Sequence, residues 1–276
     1  MAGKSAVNET GPIGVFDSGV GGLTVFRAIS RALPHEPLIY LGDSARVPYG
    51  TKSPQIVTRY ALEAANHLLG RGVKMLVVAC NTATAAALPV LKEKLDIPVI
   101  GVVEPGARAA VERTRGRIGV IATEGTVRSR AYTKAIQQLA PKAEVIESAA
   151  PLFVPLAEEG WANTHVAQEV AEIYLEPLID AGIDTLVLGC THYPILRNTI
   201  ERVVGNQVAI VDSAETTAEC VHVALNGERR TGLSPSGRAE AHPTHQFLVT
   251  DAEERFRRIA AEFLEYEIAN LELVTL

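Results

Sequence analysis

A chain of 276 residues that is 47% hydrophobic and 21% charged has the length and apolar content for two α/β domains with real cores, which excludes a disordered or fibrous protein. Its net charge of −6 supplies no bulk attraction to phosphate backbones or anionic membranes, so nucleic acid is not expected as a main partner. Three cysteines with no CxxC pair fit neither a disulfide framework nor a zinc ribbon, and free thiols remain to be explained.

Met1 to Thr10 is polar and lacks the apolar centre of a signal peptide. No later apolar run approaches the length of a bilayer, so the cytoplasm is the expected location, without membrane contact. A short apolar strand, Ile13 to Phe16, then runs into Asp17-Ser-Gly-Val-Gly-Gly22 and a helical pattern from Leu23 to Ala32. Glycines between strand and helix admit a ligand to the backbone, and the helix start favours an anion. The spacing matches neither a P-loop nor GxGxxG, so a small carboxylate is the expected ligand over a phosphate or a purely structural turn. Asp17 becomes a buried or cleft-lining acid.

Leu38 to Leu41 is the second strand, followed by Gly42-Asp43-Ser44 and the constrained loop Val47-Pro-Tyr-Gly50, which would hold an aromatic hydroxyl at the cleft. Ser53 and Pro54 open a helix whose buried stripe is Ile56, Val57, Tyr60, Ala61, Ala64, Ala65 and Leu68. The run from Asn81 to Leu95 is helical, with Pro89 expected to kink or divide it. After the strand Val99 to Val103, Glu104-Pro-Gly106 reads as a hinge. Beyond it come a helix to Thr114, a strand Arg117 to Ile121, a ligand loop Thr123 to Thr126, and a strand Ala143 to Ile146. A Pro-spaced segment and the loop Glu158-Glu159-Gly160-Trp161 form a candidate cleft wall, and the helix from Val166 to Ala181 should bend at Pro177. After Asp212-Ser213 the pattern gives a helix to Leu225, a polar loop Asn226 to Pro243 without an assigned role, and a strand His245 to Val249. A last helix follows, with Thr250 and Glu253 as a capping box. Cys220, inside a helix, reads as structural.

One stretch occurs twice. Lys74-Met-Leu-Val-Val-Ala-Cys80-Asn-Thr82 and Asp184-Thr-Leu-Val-Leu-Gly-Cys190-Thr-His192 each deliver a thiol to the carboxyl end of a buried parallel strand, where open α/β sheets place their ligands. Gly72 and Gly182 stand at the same offset before the two cysteines, and Ile13-Gly-Val-Phe16 is echoed by Ile118-Gly-Val-Ile121. The expected fold is therefore α/β: two pseudo-symmetric domains with mainly parallel sheets and the active site in the cleft between them. The first is discontinuous, residues 1–104 plus 212–276, and the second spans 105–211.

Two thiols facing one ligand suit proton removal from one face of a carbon and return to the other. A free cysteine, with a pKa of about 8.5, is readily tuned by a helix start to do either. Asp17 is placed to serve Cys80, and His192 to serve Cys190 with help from Glu158 or Glu159.

The stretches Ile13 to Leu23, Asp43 through Pro48-Tyr-Gly50, Ala79-Cys-Asn-Thr-Ala-Thr84, Gly101-Val-Val-Glu-Pro-Gly106, Gly189-Cys-Thr-His-Tyr-Pro194 and Val211-Asp-Ser213 resemble, in order, the motifs of bacterial glutamate racemases. The resemblance implies interconversion of L- and D-glutamate without a cofactor or metal, supplying D-glutamate to peptidoglycan synthesis, and homodimers in many members. It implies Cys80 and Cys190 as acid/bases assisted by Asp17 and His192, with Glu159 taken as the additional acid. Substrate contacts would fall on Asp17, Ser18, Tyr49, Gly50, Asn81, Thr82, Thr126, Thr191 and His192.

Aspartate or hydantoin racemases share this outline and differ only in pocket donors. A thiol redox sensor closing a Cys80–Cys190 disulfide is the reading from another class. A cysteine hydrolase leaves the second matched thiol unexplained, a metal site lacks a second ligand pair beside Cys190 and His192, and no lysine has a recognisable setting for pyridoxal phosphate.

Overall fold

The structure, a computed structural model, describes residues 10–227 and 245–276. The polar N-terminal tail up to residue 9 and the part of the expected polar loop from residue 228 to Pro243 lie outside the described residues. Strand and helix alternate from the start: β1 (Ile13–Asp17), α1 (Leu23–Ala32), β2 (Leu38–Gly42), α2 (Pro54–Gly70), β3 (Met75–Val78), α3 (Asn81–Lys94) and β4 (Val99–Gly101). A second round runs α4 (Val103–Arg113), β5 (Arg117–Ala122), α5 (Glu124–Ser129), α6 (Ala131–Leu139), β6 (Glu144–Ala149), α7 (Phe153–Glu158), α8 (His165–Asp180), β7 (Thr185–Gly189), α9 (Arg197–Val204) and β8 (Ala209–Asp212). The chain then returns through α10 (Ser213–Asn226), β9 (Gln246–Val249), α11 (Glu253–Leu264) and β10 (Leu271–Leu273).

Two parallel sheets result, in the orders β10-β9-β2-β1-β3-β4 and β6-β5-β7-β8. Removing the two late strands leaves β2-β1-β3-β4, the same winding as the second sheet, so the sequence repeat is a repeat of topology. In each lobe the winding reverses between the first and third strands, β1 beside β3 and β5 beside β7. A crevice opens beyond the carboxyl ends of strands at such a reversal. Every residue of β1, β2, β3 and β7 is buried, which is why these strands read as unbroken apolar runs without alternation. Gly72 and Gly182 both take positive φ, 75° and 71°, and close the helix before each thiol-bearing strand. The largest core cluster joins α1, β9 and α11 of the first lobe to α7, α8 and β7 of the second, so apolar packing is continuous between the lobes.

Four local expectations need correction. Glu104, Pro105 and Gly106 form the first turn of α4 and not a free hinge, because Pro is tolerated where the helix has no N–H bond to lose. Pro89 leaves α3 undivided: it sits on the exposed side of the helix, where water reaches the freed carbonyl. Thr250 does not cap α11, which starts after Ala252 in the left-handed region. Its hydroxyl instead accepts from the Ala45 N–H at 2.9 Å and donates to Asp43 Oδ1 at 3.0 Å, tying the returning strand to the β2 turn. Trp161 is half-exposed beside Leu152, Pro155, Leu156, Val166 and Val170, in a pocket that shares no residue with the thiol cleft.

Candidate active site

Both repeated thiols open into one small cavity between the lobes, of about 80 Å³, lined by Cys80 and Cys190 together with Ser18, Asn81, Thr82, Thr123, Glu158, Thr191 and His192, and closed by the Val47 to Gly50 loop. Cys80 stands in the N-cap position of α3, its sulfur accepting from the Ala83 N–H at 3.4 Å and donating to Ser18 Oγ at 3.4 Å. Cys190 follows β7 directly, and its sulfur lies 3.8 Å from His192 Nδ1. The other ring nitrogen, Nε2, meets Glu158 Oε1 at 3.0 Å, and Glu158 is held in turn by Arg255 at 2.9 Å. Glu158 is therefore the acid behind His192. Glu159, which the sequence favoured, is half-exposed and reaches only Arg255, at 3.5 Å.

The lobes meet through backbone close enough to demand glycine. A methyl group on Gly21 would lie 2.4 Å from the His192 ring and from Thr191 Oγ1, so only a bare Cα lets the first-lobe turn approach the second thiol's loop. Thr24 Oγ1 donates to the Thr191 carbonyl at 2.9 Å across the same seam. On the other side Thr82 Oγ1 and Thr123 Oγ1 are 2.9 Å apart.

Expected residues divide into those that line the cavity and those behind it. Ser18, Tyr49, Gly50, Asn81, Thr82, Thr191 and His192 line it. Tyr49 is buried with its hydroxyl on Asp43. Thr126 is fully buried behind the wall, bonded to Thr82 and Thr123, and Thr123 presents the lining hydroxyl in its place. Asp17 also sits behind the lining, 1% exposed, with Oδ2 accepting from the Gly19 N–H at 2.8 Å and Oδ1 buried without a partner.

Charge differs on the two sides. Burial pushes the Cys80 thiol up to about 12, reinforced by Asp17 and by Cys190, while the Ser18 and Ala83 hydrogen bonds pull against it. The helix start, which on its own would favour a thiolate, is thus outweighed by desolvation. Burial also raises Asp17, opposed by the charge on His192 and by backbone N–H groups. His192 rises to about 10: burial disfavours its charge, but the hydrogen bonds and charges of Cys190 and Glu158 more than offset it. Glu158 is lowered in spite of burial by His192 and Arg255. Cys80 thus holds its proton in a neutral thiol, while an imidazolium stands beside Cys190.

Two similarly wound lobes closing on a thiol-lined interlobe cavity define an α/β enzyme built by duplication. The chain belongs to the Asp/Glu/Hydantoin racemase family, whose model matches residues 13–221, and it is an amino-acid racemase, an isomerase. It is similar to the glutamate racemase of Geobacter metallireducens, 53% identical over 266 residues that cover 96% of each chain. Among solved structures, it matches a glutamate racemase isoform from Bacillus anthracis at 41% identity and a TM-score of 0.90, over 98% of this chain and 99% of that one. It also matches the Francisella tularensis glutamate racemase in complex with D-glutamate, at 36% identity and a TM-score of 0.87, over 97% and 98%. Among the described residues no cluster of His, Cys, Asp or Glu is arranged to hold a metal ion, and no helix is long and apolar enough to cross a membrane.

Proposed function

We infer that this racemase interconverts L- and D-glutamate by a two-base mechanism in which Cys80 and Cys190 exchange a proton with opposite faces of the α carbon. The observation that carries the reading is that thiols from equivalent strand ends of two matching lobes line the same cavity. One thiolate abstracts the α proton, the other thiol donates its own to the opposite face, and the two protonation states are exchanged when product leaves. Asp17 serves the Cys80 side, and the His192–Glu158 pair the Cys190 side. A bound ammonium lowers the thiol beside it, relieving the burial that holds Cys80 at about 12. Ser18, Thr82, Thr123, Thr191 and the Tyr49-Gly50 turn supply hydroxyl and backbone donors for two carboxylates in a cavity that holds a small metabolite.

Glutamate as the substrate is supported by the names of the relatives and by the D-glutamate bound in the Francisella tularensis protein. The same reading places the enzyme in the cytoplasm as a homodimer, feeding D-glutamate to peptidoglycan synthesis without a cofactor. It treats residues 1–104 with 212–276 as one domain and 105–211 as the other, supported by the division of strands between sheets. Each enantiomer in deuterated water should gain deuterium at the α carbon as its circular dichroism decays, in chelator-treated and pyridoxal-free buffer. Cys80→Ser and Cys190→Ser should each abolish the decay. Turnover unchanged in either variant, or turnover of aspartate alone, overturns the mechanism or the substrate respectively.

A further inference from the structure

The loop that closes the cavity is anchored by an arginine that takes no part in the proton transfers just described. Val47, Pro48, Tyr49 and Gly50 all line the cavity, and Tyr49 is buried with its hydroxyl donating to Asp43, itself fully buried just past β2. A carboxylate only accepts, so Tyr49 spends its one proton there and has none for a ligand. Asp43 also accepts from Arg46 Nε at 2.6 Å and from the Thr250 hydroxyl at 3.0 Å. Burying that acid calls for a counter-charge, which Arg46 supplies.

Arg46 does more than neutralise a buried acid. Its Nη1 donates to Glu63 of α2, and its guanidinium lies 4.1 Å over the ring of Tyr60, one turn earlier on the same helix. The Tyr60 ring in turn packs 5.7 Å from that of Tyr49, centroid to centroid. One planar fork therefore ties the acid that holds Tyr49 to a face of α2. Lysine is a point charge on a flexible stem: it can neutralise Asp43, but it cannot bridge both acids and lie flat on the ring. On its other side the loop is pressed against the second lobe. A methyl on Gly50 would lie 3.0 Å from Thr123 Cβ, and one on Gly125 would lie 2.7 Å from the Gly50 carbonyl oxygen. The pose of the loop thus sets part of the cavity wall and its contact with the opposite lobe.

We propose that Arg46 and Glu63 are positioning residues: the guanidinium that bridges Asp43 to Glu63 holds loop 47–50 in its ligand-ready pose before substrate arrives. The inference rests on the glutamate reading of the same site. A loop that wanders must be ordered again by each ligand, and that cost falls on the bound substrate and the transition state alike, so KM rises while kcat stays. An arginine that only stabilises the fold does the opposite, because its loss removes folded molecules and lowers kcat with KM unchanged.

Initial rates with D-glutamate, followed by circular dichroism, separate the two. Arg46→Lys keeps the charge beside Asp43 and should raise KM about 10-fold with kcat within about twofold, as for a loop that holds its ready pose about a tenth of the time. Glu63→Gln leaves the Asp43 pair intact and cuts only the tether to α2, so KM should rise about 3-fold with kcat again within about twofold. Its carboxylate is partly exposed, so it carries the test if the lysine variant melts early. Because lysine cannot bridge, Glu63→Gln should add no further rise in KM in the Arg46→Lys background. An unchanged KM in Glu63→Gln, a fall in kcat larger than the rise in KM, or full multiplication of the two effects overturns the positioning role. If the native protein racemises glutamate and only this pattern fails, the inference falls alone. If the native protein does not racemise glutamate, the substrate reading falls and takes this one with it.

Discussion

Glu158→Gln removes a charge from behind His192 while keeping an oxygen for Nε2 to donate to. In the intact site His192 is raised to about 10 against burial, through hydrogen bonds and charge from Cys190 and Glu158. A group with that pKa is ~99% protonated at pH 8, whereas at the ordinary value of about 6.5 it is only ~3% protonated, a ratio of roughly 30. Cys190 stays in place in the variant, so His192 moves only part of the way, and the loss of kcat/KM at pH 8 should lie between about 3- and 30-fold. Enantiomers are equally stable in water, so kcat/KM must fall by the same factor from L- and from D-glutamate. The imidazolium is the form below its pKa, so activity that depends on it is lost as pH rises through that value, and in the variant this loss begins at lower pH. Initial rates by circular dichroism between pH 6 and 11, from each enantiomer, measure the shift. Arg255 also loses a partner, but it is half-exposed and such a surface pair contributes no more than about 1 kcal/mol, so a larger fall in melting point at neutral pH reports the charge lost beside His192. A variant whose alkaline limb superimposes on the native one would refute the link between Glu158, His192 and the second thiol.

Glu159→Gln should leave kcat/KM within about twofold, since its carboxylate is half-exposed and meets only Arg255; a loss equal to that of Glu158→Gln would reverse the assignment of the two acids. Gly21→Ala places a methyl 2.4 Å from the His192 ring and Thr191 Oγ1, so it should cost about 1–3 kcal/mol in denaturant melts and separate the loop of Cys190 from the first lobe, with kcat/KM falling more than tenfold. Alkaline stability should fall in two windows. His192, raised from 6.5 to about 10, contributes stability that is complete below its unfolded pKa and lost as pH rises to about 10. Cys80, raised from 9.0 to about 12, is held neutral in the fold, and its contribution is lost between those values as the unfolded chain ionises first. Guanidinium midpoints from pH 6 to 11 should decline in the native protein and flatten in the first window in His192→Asn. Thr250→Val leaves the fully buried Asp43 and the Ala45 N–H each short of a partner and should destabilise the fold by about 1–3 kcal/mol, read from the same melts.

The duplication and both thiols were legible in the sequence because a buried parallel strand is a continuous apolar run, and the residue that follows it necessarily sits at the crevice. Asp17 and His192 were legible for the same reason, being tied by chain connectivity to a strand end. The choice between Glu158 and Glu159 was not. Helix α7 has only six residues, too few to show a period, and adjacent helical positions point about 100° apart. Thr123 and Thr126 differ in the same way: Thr123 is the N-cap at the mouth of the cavity, and Thr126 is turned under it. Tyr132 reads as one more apolar position on an amphipathic helix, because the partner of its hydroxyl lies 51 residues away and no local pattern announces it. The strand β10, with only its first residue partly buried, carries no alternation long enough to be seen.

Gene duplication explains why the two thiols are equivalent in position, but a racemase working on a chiral amino acid cannot be symmetric around them. On the proposed two-thiol reading, the α carbon presents a proton to one thiol and nothing to the other, while the ammonium and two carboxylates must be held in one orientation through both half-reactions. The structure keeps the symmetry in the strands and breaks it in the loops. Behind Cys80 stand Ser18 and a buried Asp17; behind Cys190 stands an imidazolium paired with Glu158. Because the two sulfurs have different partners, an acid whose pKa burial raises on one side and an imidazolium on the other, a proton added to one side is not equivalent to a proton added to the other. On that argument, a variant that makes the two sides alike by removing both the Asp17 carboxyl and the His192 imidazole should slow exchange of the thiol states more than the product of the two single changes, a coupling that a double-mutant cycle on kcat reads directly.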